Sequence, residues 1–101
     1  MPPKPDTKTV RLRIHGRVQG VFYRAWTVGE AEARGLSGWV RNRSDGTVEA
    51  VVSGRADKVD DLIAACRLGP PRAAVAAIDV LAAMESEAET YGSGFRQGPT
   101  D

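Results

Sequence analysis

The sequence predicts an α+β sandwich in which two helices cover one face of a mostly antiparallel sheet of four to five strands. Three observations lead there. Val10–His15 alternates apolar and polar residues as a half-buried strand does, with Val10, Leu12 and Ile14 on one side and Arg11, Arg13 and His15 on the other. Two later stretches, about Tyr23–Arg34 and Ala56–Leu68, carry helical periodicity. Between them, Asp45-Gly46 separates two alternating runs and marks a hairpin.

In chain order, Met1–Thr7 holds three prolines and no period, so residues 1–8 are expected to be a disordered lead. After the first strand comes the loop Gly16–Gly20. The first helix is expected to bury Phe22, Trp26, Gly29 and Ala33; Gly29 weakens it by about 1 kcal/mol relative to alanine and would allow close approach to a strand. Gly35 is placed to end this helix in a left-handed conformation.

Leu36–Arg43 reads as a strand. If Val40 faces the core, Leu36, Gly38 and Asn42 lie on its side, with Trp39, Arg41 and Arg43 opposite. Asn42 then has two readings, a polar side chain aimed at the helix-covered face or a turn residue bonded to its own backbone beside Ser44. Spacing does not decide between them. In Thr47–Ser53, Val48, Ala50 and Val52 point inward, whereas Val51 joins Glu49 on the far face.

The second helix presents Val59, Leu62, Ile63 and Cys66, with Asp57 near its positive end, and Gly69-Pro70-Pro71 stops it. Arg72–Met84 is ambiguous, because its alanines favour helix while Ile78, Val80 and Ala82 alternate. Topology settles it as a strand over about Val75–Ala83, which completes a ferredoxin-like βαββαβ order. Phe95 is the one anchor of the tail, and residues 98–101 are expected to be disordered.

The chain has 101 residues, 42% of them hydrophobic and 27% charged, which fits one globular domain. A net charge of +1 gives no global attraction to nucleic acid or membrane. Arg11, Arg13, Arg17, Arg24, Arg41 and Arg43 all precede position 44, so the half that holds the loop is expected to be locally positive. Cys66 is the only cysteine, which points to a buried structural thiol and a cytoplasmic setting. No apolar run approaches the ~18 residues of a membrane span. His15 falls on the arginine face of its strand and reads as a surface residue; no ligand cluster supports a metal site.

Chemistry concentrates in Gly16–Arg24, G-R-V-Q-G-V-F-Y-R. A glycine-containing loop that opens a helix gathers unpaired N–H groups at the positive end of the helix dipole. Arg24 adds a planar cation able to hold two oxygens of one phosphate. On its own the stretch is an anion cradle.

This motif, together with G-W-V-R-N-R-S-D-G-T-V-E from Gly38, resembles the paired signature of the acylphosphatase family, and the resemblance extends over about Val10–Arg96. It implies an acylphosphatase-like domain at 9–97 that hydrolyses acyl phosphates to a carboxylate and inorganic phosphate. Matched residue by residue, the phosphate-binding arginine falls on Arg24 and the water-positioning asparagine on Asn42. The cradling N–H groups fall on Arg17, Val18, Gln19, Gly20, Val21 and Phe22. The resemblance implies no cofactor or metal, a small-molecule acyl phosphate as partner, no nucleic acid or membrane, and a monomer. It departs from the family pattern at the end, where Gly94-Phe95-Arg96-Gln97 runs straight into Gly98-Pro99, so a final strand should be short.

Two other functions suit the same element order. A non-catalytic anion-binding module would keep the cradle without hydrolysis. An RNA-binding module would need aromatics on adjacent central strands, and the first and third strands carry none.

Overall fold

The computed structural model describes residues 6–101. The elements are β1 (Thr7–Arg17), α1 (Tyr23–Ala33), β2 (Ser37–Asn42), β3 (Val48–Arg55), α2 (Ala56–Leu68), β4 (Ala74–Ala82) and β5 (Phe95–Gln97), with a short 3₁₀ turn at Glu85–Glu89. The strands form one sheet in the order β4-β1-β3-β2-β5, antiparallel except for β2 beside β5. The βαββαβ order read from the sequence is therefore the fold, with a three-residue β5 added at the edge.

Register explains where the site forms. Ile14 pairs with Val48, and Val48 pairs with Asn42, so these three residues make one row across β1, β3 and β2. Ile14 and Val48 belong to the main core. Side chains along such a row share a face, so Asn42 points to the side the helices cover. β1 and β2 both pair antiparallel with β3 and thus run the same way, and both end at the edge where α1 begins.

The helix-covered core contains Val10, Leu12, Ile14, Leu36, Val40, Val48, Ala50 and Val52 from the sheet, and Val59, Leu62, Ile63 and Cys66 from α2. The α2 stripe is the one its periodicity predicts. Burial pushes the Cys66 thiol up to about 11, so it stays protonated and inert.

The α1 stripe is different. Tyr23, Thr27 and Ala31 are its buried residues, whereas Phe22 is 77% exposed and Ala33 is exposed. Trp26 is half-buried against the core. Hydrogen bonding explains the shift: the Tyr23 hydroxyl donates to the Cys66 carbonyl at 2.6 Å, and the Thr27 hydroxyl donates to the Tyr23 carbonyl at 2.8 Å. With their polar atoms satisfied, a tyrosine and a threonine can occupy core positions that a count of apolar residues misses. Gly29 faces open space and approaches no strand.

Three further expectations need correction. β1 starts at Thr7, inside the stretch read as a disordered lead; residues 1–5 of that lead lie outside the described residues. The end of the chain is hydrogen-bonded. Gly98 N–H donates to Val40 O, Asp101 N–H to Asn42 O, and Ser44 N–H to Asp101 O, so residues 98–101 continue along the edge of β2. The early arginines also give free positive charge over less of their half of the chain than their number suggests, because most of them are paired. On the face opposite the helices, Arg11, Arg41 and Arg43 each donate a hydrogen bond to the buried carboxylate of Glu49, and Arg13 approaches it at 3.8 Å. Glu87 adds a partner for Arg11, Asp45 for Arg13, and Asp101 for Arg41 and Arg43. Opposite charges that are distant in sequence meet because antiparallel pairing places them in adjacent rows. Trp39 lies among them, with the Arg41 guanidinium 4.7 Å from its ring centroid and Tyr91 edge-on at 5.3 Å.

Two outcomes test this account. Gly29→Ala should stabilise the protein by about 1 kcal/mol, because the added methyl meets nothing and the glycine entropy cost is removed; a urea titration measures it. Glu49→Gln should destabilise by about 3 kcal/mol at neutral pH, the low end of the range for breaking a buried pair, since its arginines remain partly exposed. Burial alone would raise the Glu49 pKa, but hydrogen bonds and charge from Arg41 and Arg11 hold it below the ordinary 4.5. The depressed value means the stabilisation is present above 4.5 and is lost as pH falls through the folded-state value. The gap between wild type and variant should therefore narrow in acid below 4.5.

Candidate active site

The β1–α1 loop starts at a bulge between His15 and Gly16. Gly16 has φ 119°, and a Cβ there would come within 2.3 Å of the Ala74 carbonyl, so no other residue fits without moving β4. Gly20 has φ 73° and turns the chain toward the helix. Val18 and Val21, 1% and 7% exposed, pin the loop into the core on either side of that turn.

The loop leaves its donors free. Among the described residues, no backbone N–H from Val18 to Ala25 donates to another protein atom; the first bond of α1 runs from Trp26 N–H to Phe22 O. Phe22 provides no side-chain cap, and the first turn of α1 contains no acidic residue, whereas α2 has Asp57. The positive end of α1 is thus unneutralised by the chain.

An open cleft of about 320 Å³ lies at this end, lined by Val18, Gly20, Phe22, Tyr23, Arg24, Ala25, Asn42 and Gln97. Arg24 is half-buried there and has neither a hydrogen-bond nor an ion-pair partner among the described residues. The Asn42 side-chain oxygen is shielded from solvent and unpartnered. A buried acceptor left unpaired costs roughly 1–3 kcal/mol, and the amide torsion is soft enough to turn the oxygen toward a guest in the cleft.

The residues read from the sequence separate into two groups. Val18, Gly20, Phe22, Arg24 and Asn42 line the cleft; Arg17, Gln19 and Val21 do not. Arg17 is exposed at the end of β1, and Val21 is in the core. Gln19 has a different task. Its side-chain amide donates to both Arg43 O and Thr47 O at 2.8 Å, fastening the loop to the β2–β3 hairpin that carries Asn42. Tyr23, Ala25 and Gln97 line the cleft without having been singled out. The first two lie in the first helical turn and follow from Arg24. Gln97 arrives through the parallel pairing of β5 with β2, where it stands opposite Val40, and nothing local in the sequence signals that contact. His15 is on the surface, 2.9 Å from Asp79. Among the described residues no three His, Cys, Asp or Glu side chains group as metal ligands.

A family model described as acylphosphatase matches residues 10–97. The chain belongs to the acylphosphatase family. It is 50% identical over 97 residues to an acylphosphatase of Rhizorhabdus wittichii, covering 96% of this chain and 94% of that one. It is 54% identical over 101 residues to one from Azoarcus sp., covering 99% of each. Its fold matches the structure of an acylphosphatase from Coxiella burnetii with TM-score 0.81 and 36% identity, over 91% of this chain and 93% of that one. As an acylphosphatase, the enzyme hydrolyses acyl phosphates.

The Gln19 bridge can be tested within this activity. Gln19→Glu keeps the shape but replaces the donor with an acceptor facing two carbonyls. Its kcat toward an acyl phosphate should fall about tenfold or more, the cost of loosening a positioned site. Far-ultraviolet circular dichroism should remain that of the wild type.

Proposed function

We propose that Arg24 and the N–H groups of the loop and first helical turn hold the phosphoryl group, and that Asn42 orients the attacking water. The observation that carries this reading is the unpartnered Asn42 oxygen on the wall of the same cleft as the free Arg24 guanidinium. Arg24 offers a bidentate fork and the backbone offers donors at fixed positions, so charge on the phosphoryl oxygens is met by groups that need not reorganise. Asn42 accepts a hydrogen bond from water and aims its lone pair at phosphorus from the side opposite the acyl oxygen.

The rest of the chemistry needs little from the protein. The leaving group is a carboxylate, which departs without being protonated. Asn42 is no base at neutral pH, so the proton of the attacking water passes to a phosphoryl oxygen of the substrate. Water's oxygen bonds to phosphorus, the phosphorus–acyl oxygen bond breaks, and the electron pair leaves with the carboxylate. Catalysis is positioning and electrostatic stabilisation, as in phosphoryl transfer generally. No step passes through a metal or cofactor. The lining contains no His, Cys, Asp or Glu.

In this reading the partner is the small-molecule acyl phosphate alone, and the enzyme works as a cytoplasmic monomer. The lone thiol of Cys66 is consistent with a reducing compartment, and among the described residues no helix is long and apolar enough to cross a membrane. The sheet face that an RNA-binding module of this topology would use is here closed over Trp39, which is 3% exposed beneath Tyr91 and Ala88.

Arg24→Ala should abolish both inhibition by inorganic phosphate and turnover. Asn42→Ala should keep phosphate inhibition while turnover falls by roughly 2.7–4 kcal/mol of barrier, the effect of removing one preorganised polar contact. Steady-state kinetics with acetyl phosphate and phosphate as inhibitor separates the two roles, and near-normal turnover in the Asn42 variant would refute the water-positioning assignment.

A further inference from the structure

Phe22 carries two local costs, and a phosphate cradle accounts for the backbone one at most, since a left-handed residue helps to turn successive N–H groups toward an anion but needs no ring. Phe22 has φ 68°, the one positive value among the described non-glycine residues, and its ring is 77% exposed. A left-handed backbone suits glycine or asparagine, and for a bulky side chain it stores of order 1–3 kcal/mol. Its neighbours explain how the conformation is held: Val21 and Tyr23 are buried on either side, so the chain between them must turn outward and carry the ring with it. They do not explain why a large aromatic occupies the position.

The cleft supplies a reason. If water approaches phosphorus from Asn42, the acyl group must leave on the opposite side. Of the apolar lining, Val18 is 1% exposed and Ala25 presents a single methyl, which leaves Phe22 as the large apolar surface open to a guest. We propose that the ring of Phe22 forms the acyl-side wall of the site and biases the enzyme toward acyl phosphates whose acyl group is apolar and large enough to lie against it. This inference rests on the assignment of Arg24, the loop and Asn42 given above. Placed there, the ring loses exposed area only when a substrate with such an acyl group is bound. Acetyl phosphate extends too little from phosphorus to cover it.

The test compares kcat/KM for benzoyl phosphate and acetyl phosphate in wild type, Phe22→Asn and Phe22→Tyr, with inorganic phosphate as inhibitor in each. Asparagine tolerates the left-handed backbone without supplying a ring; tyrosine keeps the ring. The benzoyl-to-acetyl ratio should fall roughly three- to tenfold in Phe22→Asn, the range one aromatic contact supplies, and should recover in Phe22→Tyr. An unchanged ratio in Phe22→Asn, or a loss shared equally by the two substrates, overturns the proposal and leaves the phosphate assignment standing. A wild-type enzyme that phosphate does not inhibit overturns the cleft assignment and this inference with it.

Discussion

Two hydrogen bonds from one neutral side chain connect the halves of this site. The loop that presents free N–H groups belongs to the first third of the chain, and Asn42 comes from a strand reached only after a whole helix. The sheet brings them to the same edge, because β1 and β2 run parallel on either side of β3. Sheet registry alone fixes strands, however, and the loop is not in a strand. Gln19 closes that gap by donating to Arg43 O and Thr47 O, the carbonyls at the two sides of the hairpin beyond Asn42. A site that works by placement needs such a tie, since effective concentration is lost quickly when reacting groups drift by an ångström.

The charges are arranged with the same economy. Arg11, Arg13, Arg41 and Arg43 face away from the helices and are matched by Glu49, Glu87, Asp45 and Asp101. Arg24 has no carboxylate within 4.0 Å among the described residues. The sheet face opposite the helices is thus neutralised, while Arg24 stands without a carboxylate partner beside unpaired loop N–H groups. The same back-face network holds the end of β2: Asp101 pairs with Arg43 by its side chain, and with the backbone of Asn42 and Ser44 by its own. Residues 98–101 thereby brace the strand end that carries Asn42.

Much of this was legible in the sequence. Alternation gave the inward residues of β1 and β3, and periodicity gave the α2 stripe, because in those elements the buried positions are apolar. The α1 stripe was misread because Tyr23 and Thr27 are buried with their hydroxyls satisfied by backbone carbonyls, one of them on α2. A partner 43 residues away leaves no local trace. The hydrogen-bonded tail escaped for a related reason: Gly98-Pro99-Thr100-Asp101 has the composition of a fraying end, and its order comes from the free edge of β2 and from arginines far upstream. Within the site, Arg24 stood out by residue type and its place after the glycine loop, whereas Asn42 was singled out only by the family resemblance, since spacing left its two readings open; the structure brings both into one cleft. The role of Gln19 could not be read, since a glutamine in a loop looks the same whether it binds a ligand or ties two segments together.

The cleft lining also limits how the enzyme can respond to its surroundings. Tyr23 and Arg24 are its titratable side chains. Burial, with the neighbouring Cys66 side chain adding to it, raises the Tyr23 pKa well beyond the ordinary 10. Tyr23 therefore stays protonated near neutrality, and in the proposed mechanism the ionisation that matters there is the substrate's own. In that mechanism phosphoryl oxygens must carry charge to engage Arg24 and the loop, and one of them must accept the water's proton. An enzyme without a general base is therefore restricted to substrates whose leaving group needs no acid and whose phosphate can act as the base. Acyl phosphates meet both conditions, and alkyl phosphate esters, whose alkoxide must be protonated to leave, fail the first. On the proposed assignment, a lining whose described residues offer no His, Asp or Glu thus selects for the anhydride.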